Sequence, residues 1–528
     1  MKYLQLFFFI AVALAQCSSL YESSRIGRCV NTTSGEVAGH PSAKNPSVSE
    51  YLGIPFVQPP IGNLRFAPPQ PYTGTGFING TNFGYTCPKL FTDALSLIPV
   101  NFPNTHGNYT PSGISILSTF AQAGDEARNN EDCLTLNIWA KPQVGESKKA
   151  VMIWIYGGAF RDGSTSVPIY DGSTLVAEED VIMVSINYRV NIFGFSGDAT
   201  GPTSNYGMLD QRLAIEWVYD NIANFGGDPT RITLFGQSGG SCAIDYYSYA
   251  YPQNPIASSM IMQSGTIPSL STLTASQAFE AWRNTSTTLG CGDSSYDPNA
   301  VMQCMRNPNL TTASILKIAH LYTWLPSIDN ILVFPDYPAR SAAGNVTTIP
   351  LLIGNTDNEA EVFASQTLMS GKPNQNWSLL TNQTFACPAA ARANISASLG
   401  AKTWRYRYFG NFPNLQIQIG VDAGAFHIAD VYSIFASWPT GPGIPAATPE
   451  EIELGRYMRG AWATFAKDSQ KGLLTYQGLD CAVENDDEVI LHCGWPNYIP
   501  GMKTLARLGY ENQIVTNLDW SAVYDGTC

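Results

Sequence analysis

Short apolar runs rich in branched and aromatic residues recur along this chain, and segments with helical periodicity lie between them. Val151–Tyr156 (VMIWIY), Val181–Ile186 (VIMVSI) and Arg231–Phe235 (RITLF) read as buried strands, with Ile349–Ile353 (IPLLI) and Trp404–Phe409 (WRYRYF) as later ones. Leu209–Ile222 sets Leu209, Leu213, Ile215, Trp217, Val218 and Ile222 on a helix-like stripe, and Ser241–Tyr249 is compatible with a helix. Strands alternating with helices predict a mainly parallel sheet covered on both faces. No repeat, low-complexity tract or change of composition divides the pattern. A single α/β domain over residues 16–528 is therefore expected.

The first fifteen residues stand apart. Lys2 precedes an apolar run from Leu4 to Leu14, which ends in Ala13-Leu14-Ala15. That order of charge, apolar core and small residues predicts a signal peptide over 1–15. The run is shorter than the ~20 residues a membrane span needs. No other stretch is long and apolar enough, so a secreted, extracellular chain with no stable membrane anchor is expected. Asn-x-Ser/Thr sequons at Asn31, Asn79, Asn108, Asn284, Asn309, Asn345, Asn376, Asn382 and Asn394 agree with that compartment. So do 11 cysteines, which suit disulfides. None of them forms a Cys-x-x-Cys pair and no His-rich cluster occurs, so neither a metal nor a cofactor is expected. Only 13% of the 528 residues are charged and the formal net charge is -13. An acidic, lightly charged surface excludes nucleic acid as a partner and disfavours anionic membranes. The sequence specifies no oligomeric state.

The chemistry gathers at one motif. Gly236-Gln237-Ser238-Gly239-Gly240 follows the strand Arg231–Phe235 and precedes the helical segment Ser241–Tyr249. This is Gly-x-Ser-x-Gly between strand and helix, the nucleophile elbow, where a tight turn lifts the serine Oγ above the sheet edge. Gly157-Gly158-Ala159-Phe160 directly follows the strand Val151–Tyr156. Small residues there let backbone N–H groups approach a developing oxyanion, each worth roughly 2.7–4 kcal/mol in the transition state. Gly158, Ala159 and Gly239 are the candidate donors. The chain has five histidines, and the order serine, acid, histidine leaves His320, His427 and His492. His320 lies in a helix-like stretch and His492 abuts Cys493 in a strand-like stretch, whereas His427 lies in a loop about eighteen residues past the last predicted strand. The acid is expected where Ile349–Gly354 runs into Asn355-Thr356-Asp357-Asn358-Glu359-Ala360-Glu361. Three carboxylates compete there, and the residues alone do not separate them.

These residues resemble the type-B carboxylesterase family, which also holds cholinesterases and fungal lipases. The resemblance runs through Tyr51-Leu52-Gly53-Ile54-Pro55-Phe56, Pro59-Pro60, Leu64-Arg65-Phe66, Glu131-Asp132-Cys133-Leu134-Thr135-Leu136-Asn137, Asn187-Tyr188-Arg189, Asn224-Phe225-Gly226-Gly227-Asp228-Pro229 and Gln263-Ser264-Gly265. It implies an α/β-hydrolase fold, with a large mainly parallel central sheet flanked by helices. The implied activity is hydrolysis of small-molecule or lipid carboxylic esters through an acyl-enzyme, with no cofactor. The resemblance picks Glu359 as the acid and His427, with Asp430 three residues on, as the base; Ser264 resembles the family's serine near that acid. Three positions depart from the pattern: Gln237 where many relatives have Glu, Gly239 where Ala is common, and Ala159 in place of a third glycine. The neutral Gln237 lowers the expectation of a cationic choline ester. A lipase or sterol esterase on long-chain esters is the rival enzyme reading. A catalytically dead adhesion protein is the rival outside catalysis, and dead relatives lose the serine or its partners.

From the same resemblance, Cys87 is expected to pair with Cys133 and Cys387 with Cys493; Cys291 with Cys304 would close a short segment after Leu289-Gly290. Cys242 is expected to be a buried free thiol. The first bridge would tether both ends of residues 88–132, longer than most connections of about 4–6 residues. Its apolar stretches Leu95–Val100 and Ile114–Phe120 predict a lid over the active site.

Overall fold

The computed structural model describes residues 26–89, 109–122, 128–143, 148–293, 295, 297–363, 377–476, 494–514, 517–525 and 528. Its strands, in chain order, are β1 (Val30–Thr32), β2 (Gly35–Ala38), β3 (His40–Pro41), β4 (Ser49–Pro55), β5 (Phe77–Asn79), β6 (Thr135–Ala140), β7 (Lys149–Ile155), β8 (Ile182–Ile186), β9 (Gly227–Gln237), β10 (Ser259–Gln263), β11 (Leu351–Thr356), β12 (Thr403–Tyr408), β13 (Lys503–Leu508) and β14 (Asn517–Trp520). β1, β2 and β5 make a small sheet, and the other eleven form one large sheet in the order β14-β13-β12-β11-β10-β9-β7-β8-β6-β4-β3. From β8 through β13 every neighbouring pair is parallel. The antiparallel pairs lie at the two edges.

β7, β8, β10, β11 and β12 are buried along their whole length. Helices cover both faces, which is why these strands read as continuous apolar runs and not as an alternation. Trp154 anchors the centre, ringed by Phe235, Phe435 and Tyr170 at centroid distances of 4.8, 5.0 and 5.2 Å. All five predicted strands form, and Arg231–Phe235 is the middle of the longer β9. The predicted helix Leu209–Ile222 runs from Tyr206 to Asn221, and Ser241–Tyr249 lies inside the helix Gly239–Ala250. β4, β6, β10 and β13 escaped the apolar-run criterion.

Several of the quoted motifs prove to be scaffold. Arg65 donates to both carboxylate oxygens of Glu131, at 2.7 and 2.6 Å, and Arg189 does the same to Asp210 at 2.8 and 2.7 Å. All four side chains are buried, so each charge needs its partner. Asn187 donates to the carbonyls of Tyr85 and Cys133 and accepts from the Thr165 N–H, which ties the strand-end loops together.

Disulfides join Cys87 to Cys133 and Cys291 to Cys304, as expected, and Cys242 is a buried free thiol. The expected Cys387–Cys493 bridge is corrected: Cys387 pairs with Cys528. The reason is placement. The C-terminal segment Ala522–Asp525 follows edge strand β14 and lies beside β12, where Asp525 forms an ion pair with Arg405. That brings the last residue to the start of the helix Cys387–Ser398. Most of the expected lid, residues 90–108 and 123–127, lies outside the described residues, as does His492. The part described is not all surface loop. Pro111–Gln122 is a helix, with Ile116 and Leu117 buried in the main core. The N–H of Thr110 donates to Ile417 O at 3.1 Å, on the segment that leads to His427.

Candidate active site

β9 ends at Gln237, and the helix Gly239–Ala250 starts two residues later. Ser238, between them, has φ 56° and ψ -126°. A non-glycine residue held there costs of order 1–3 kcal/mol and needs surroundings that enforce it. The enforcement comes from β7. A Cβ on Gly240 would stand 2.0 Å from Ile155 O, and one on Gly236 would stand 2.7 Å from the same oxygen. The turn therefore lies directly on the β7 backbone, and both flanking positions exclude a side chain. The Ser238 N–H donates to Gln263 O at 2.9 Å, and Cys242 N–H donates to Ser238 O at 2.9 Å.

β7 itself runs into the second glycine cluster. Gly158, Ala159 and Phe160 take φ values of 108°, 53° and 59° in succession. The N–H groups of Arg161 and Asp162 close this turn onto Gly158 O, at 2.9 and 3.0 Å. A Cβ on Gly239 would lie 2.9 Å from Ala159 N, so the start of the helix and this turn are in van der Waals contact. Among the described residues nothing accepts the N–H of Gly158, Ala159 or Gly239. Free donors at a helix start beside a second free donor suit an anionic oxygen.

Glu359 and His427 arrive from the far side. Glu359 is fully buried; its Oε1 accepts the Thr356 N–H at 2.8 Å and its Oε2 meets His427 Nδ1 at 2.5 Å. The neighbouring residue, Asn358, joins the two loops. Its N–H donates to Ala425 O at 2.9 Å and its Nδ2 to Ala423 O at 3.0 Å. The rings of Phe363 and Phe385 flank the imidazole at 5.2 and 4.8 Å. Of the rival carboxylates, Asp357 accepts from Arg407 Nε at 2.8 Å, and Glu361 is half-buried. His320 is exposed at a helix end, with Nδ1 on Lys317 O at 2.6 Å.

Beneath the pair lies a second buried carboxylate. Asp430 Oδ2 accepts from Gln263 Nε2 at 2.9 Å and from Tyr406 OH at 3.0 Å, and Gln263 Oε1 in turn accepts from Trp462 Nε1 at 3.2 Å. Burial pushes the Asp430 carboxyl up to about 6. Ser264 ends up at the neighbouring strand end, where its N–H donates to Gly354 O at 2.8 Å, but its buried Oγ has no hydrogen-bond partner among the described residues. Asn358, Phe363, Phe385, Gln263, Tyr406 and Trp462 were not singled out from sequence for these contacts. Each acts through packing between distant segments and carries no local signal. The other ring nitrogen of the imidazole, His427 Nε2, is met by Gln237 Nε2 at 3.0 Å. Among the described residues no group of three or more His, Cys, Asp or Glu side chains could hold a metal.

A mainly parallel sheet with a strained serine at the strand–helix turn after β9 defines an α/β hydrolase. The sequence model described as the carboxylesterase family matches residues 27–378, and the chain belongs to that family. It is 31% identical over 470 residues to a chlorogenic acid esterase of Aspergillus niger, covering 87% of this chain and 86% of the relative. It is also 31% identical to secreted lipase 5 of Gibberella zeae, covering 84% of this chain and 86% of the relative. A solved PNB esterase superposes with a TM-score of 0.70 at 26% identity, covering 93% of this chain and 97% of its own. The chain is a carboxylic ester hydrolase.

Proposed function

We propose that Ser238 is the nucleophile, His427 the general base and Glu359 the acid of a triad that hydrolyses neutral carboxylic esters. The observation that carries this reading is the buried Glu359–His427 pair beside a strained serine and three unclaimed N–H donors. Ser238 Oγ attacks the ester carbonyl as His427 Nε2 takes its proton. The oxyanion forms against the N–H groups of Gly158, Ala159 and Gly239. His427 then returns the proton to the leaving alkoxide. Water, deprotonated by the same nitrogen, hydrolyses the acyl-enzyme and releases the acid. Glu359 holds the proton on Nδ1 and stabilises the imidazolium. The deciding experiment pairs Ser238→Ala with an organophosphonate probe. The variant should fold and lose turnover, and mass spectrometry of the wild-type enzyme should find the adduct on Ser238 alone. An adduct on another serine would remove the assignment.

The chain is proposed to act as a secreted glycoprotein, cleaved after residue 15, with one catalytic domain over 16–528. All seven sequon asparagines among the described residues are exposed or half-buried, and the disulfides among those residues suit an oxidising compartment. Long-chain esters form a second reading, supported by the relative named a secreted lipase and by the two phenylalanines against the imidazole. Rates across p-nitrophenyl esters of rising chain length separate the two. Replacing the centre of residues 88–132 with a short Gly/Ser linker should change that profile more than acetate hydrolysis if the segment is a cover.

A further inference from the structure

The Nε2 lone pair of His427 must take the proton of Ser238, yet in the structure it faces a different group. Gln237 Nε2 stands 3.0 Å from it, with both residues buried. Among the described residues Ser238 Oγ makes no hydrogen bond to that nitrogen. The orientation is chemically consistent. With the Nδ1 proton given to the Glu359 carboxylate, Nε2 is an acceptor, and an amide N–H is the matching donor. The other end of the amide lies against the oxyanion turn: a Cβ on Gly157 would stand 3.1 Å from Gln237 Oε1 and 2.9 Å from Ser238 Cβ. The amide is thus wedged between that turn and the imidazole, beside the nucleophile.

We propose that Gln237 is a positioning residue that competes with Ser238 for the Nε2 lone pair until the nucleophile displaces the amide. One lone pair accepts one good hydrogen bond, so the serine engages only when the amide yields. Once Nε2 is protonated it becomes a donor and can no longer face an N–H group. The amide then turns its Oε1 toward the imidazolium or withdraws. A glutamine can do both. A glutamate can only accept, and so favours the imidazolium throughout.

Among the described residues, the ionisable groups in the network of His427 are Glu359 on the loop after β11 and Asp430 in the helix Ala429–Phe435, with Tyr406 of β12 behind Asp430. The elbow contributes Gln237, and the segments 361–363 and 381–386 contribute the Phe363 and Phe385 rings. Substitution of Gln237 leaves all of these in place.

This inference rests on the proposed triad, and its test separates the two. The pH profile of kcat/KM on p-nitrophenyl acetate is measured for the wild type, Gln237→Met and Gln237→Glu, with labelling of Ser238 by the phosphonate as the check on each folded site. In Gln237→Met the neutral imidazole loses a donor, and the acid limb should move up by roughly half a pH unit, the size of one ordinary hydrogen bond. In Gln237→Glu the imidazolium also gains a carboxylate, and the limb should move up by about one unit or more. The Met variant should also be phosphonylated about threefold faster on the pH plateau, because the lone pair is no longer shared. An acid limb that stays in place or moves down in either variant overturns the competition. A wild-type enzyme whose Ser238 takes no label overturns the triad itself.

Discussion

The proposed nucleophile half of this site and its proposed acid–base half are built by different means. Ser238, Gly239, Gly158 and Ala159 all lie just past the ends of β7 and β9, adjacent strands whose register pairs Ile155 with Gly236. Their geometry follows from backbone pressed on backbone. It therefore demands particular residue types at fixed offsets, since a side chain at 236 or 240 has no space. Glu359 and His427 are 68 residues apart and sit on separate loops. What unites them is polar satisfaction in a buried site: a buried carboxylate, an imidazole, the Asn358 link and the Asp430 network. The first half should be intolerant of volume, and the second intolerant of changes in charge or hydrogen bonding.

The sharpest way to break that contrast is Glu359→Gln. It keeps the volume and removes the charge that holds the imidazolium, so kcat on p-nitrophenyl acetate should fall about 10³–10⁴-fold with the fold retained. A fall of less than about tenfold would mean that shape, not charge, governs this half as well.

Gly240→Ala tests the other side. A single methyl 2.0 Å from Ile155 O must push β7 and the elbow apart. A loss of about 3 kcal/mol or more is expected in chemical denaturation, together with loss of activity. Near-wild-type stability would show that the elbow relaxes freely and that glycine is not required there.

Asp430→Asn probes charge without touching the reacting atoms. The Asp430 carboxyl is raised by burial from 3.8 to about 6. The unfolded chain thus releases its proton at lower pH than the folded one. The stability this group contributes is complete below about pH 4, is lost as pH rises through 6, and stays lost above it. Two pH units correspond to about 3 kcal/mol. Denaturation curves of the wild type should weaken by an amount of that order between pH 4 and 6, and those of Asp430→Asn should not carry that component. Identical pH dependence in the two proteins would show that Asp430 titrates normally.

The smallest effect is expected from Asp357→Asn. Its side chain is partly exposed and paired with Arg407, away from the imidazole. Activity should change less than about threefold, in line with the small worth of exposed ion pairs. A crippling loss would move the acid by two residues and undo the assignment of Glu359.

The sequence was most readable where backbone geometry restricts residue type. The elbow at 236–240 and the turn at 157–160 could be found because strained or crowded backbone selects glycine and alanine, and the strands before them because burial on both faces leaves continuous apolar runs. The proposed acid was not readable in this way. Asp357, Glu359 and Glu361 share one loop and one chemistry, and only resemblance to a family singled out Glu359. Gln237 stood out as a departure from that family, but nothing local indicates that its amide faces an imidazole 190 residues later. The Cys387 pairing failed for a related reason: Cys528 reaches it only because the segment after edge strand β14 folds back beside β12.

By itself, then, the sequence determined the layered α/β architecture and the positions of the strained serine turn and of the small-residue turn beside it. Periodicity and steric exclusion act between neighbours in the chain and leave their mark there. The tertiary structure decided which carboxylate meets His427, which cysteine closes on Cys387, and that the Gln237 amide faces the His427 imidazole. Those outcomes depend on loops at the ends of different strands converging on one point. A carboxylate, a thiol or an amide has the same local chemistry whether or not that convergence reaches it.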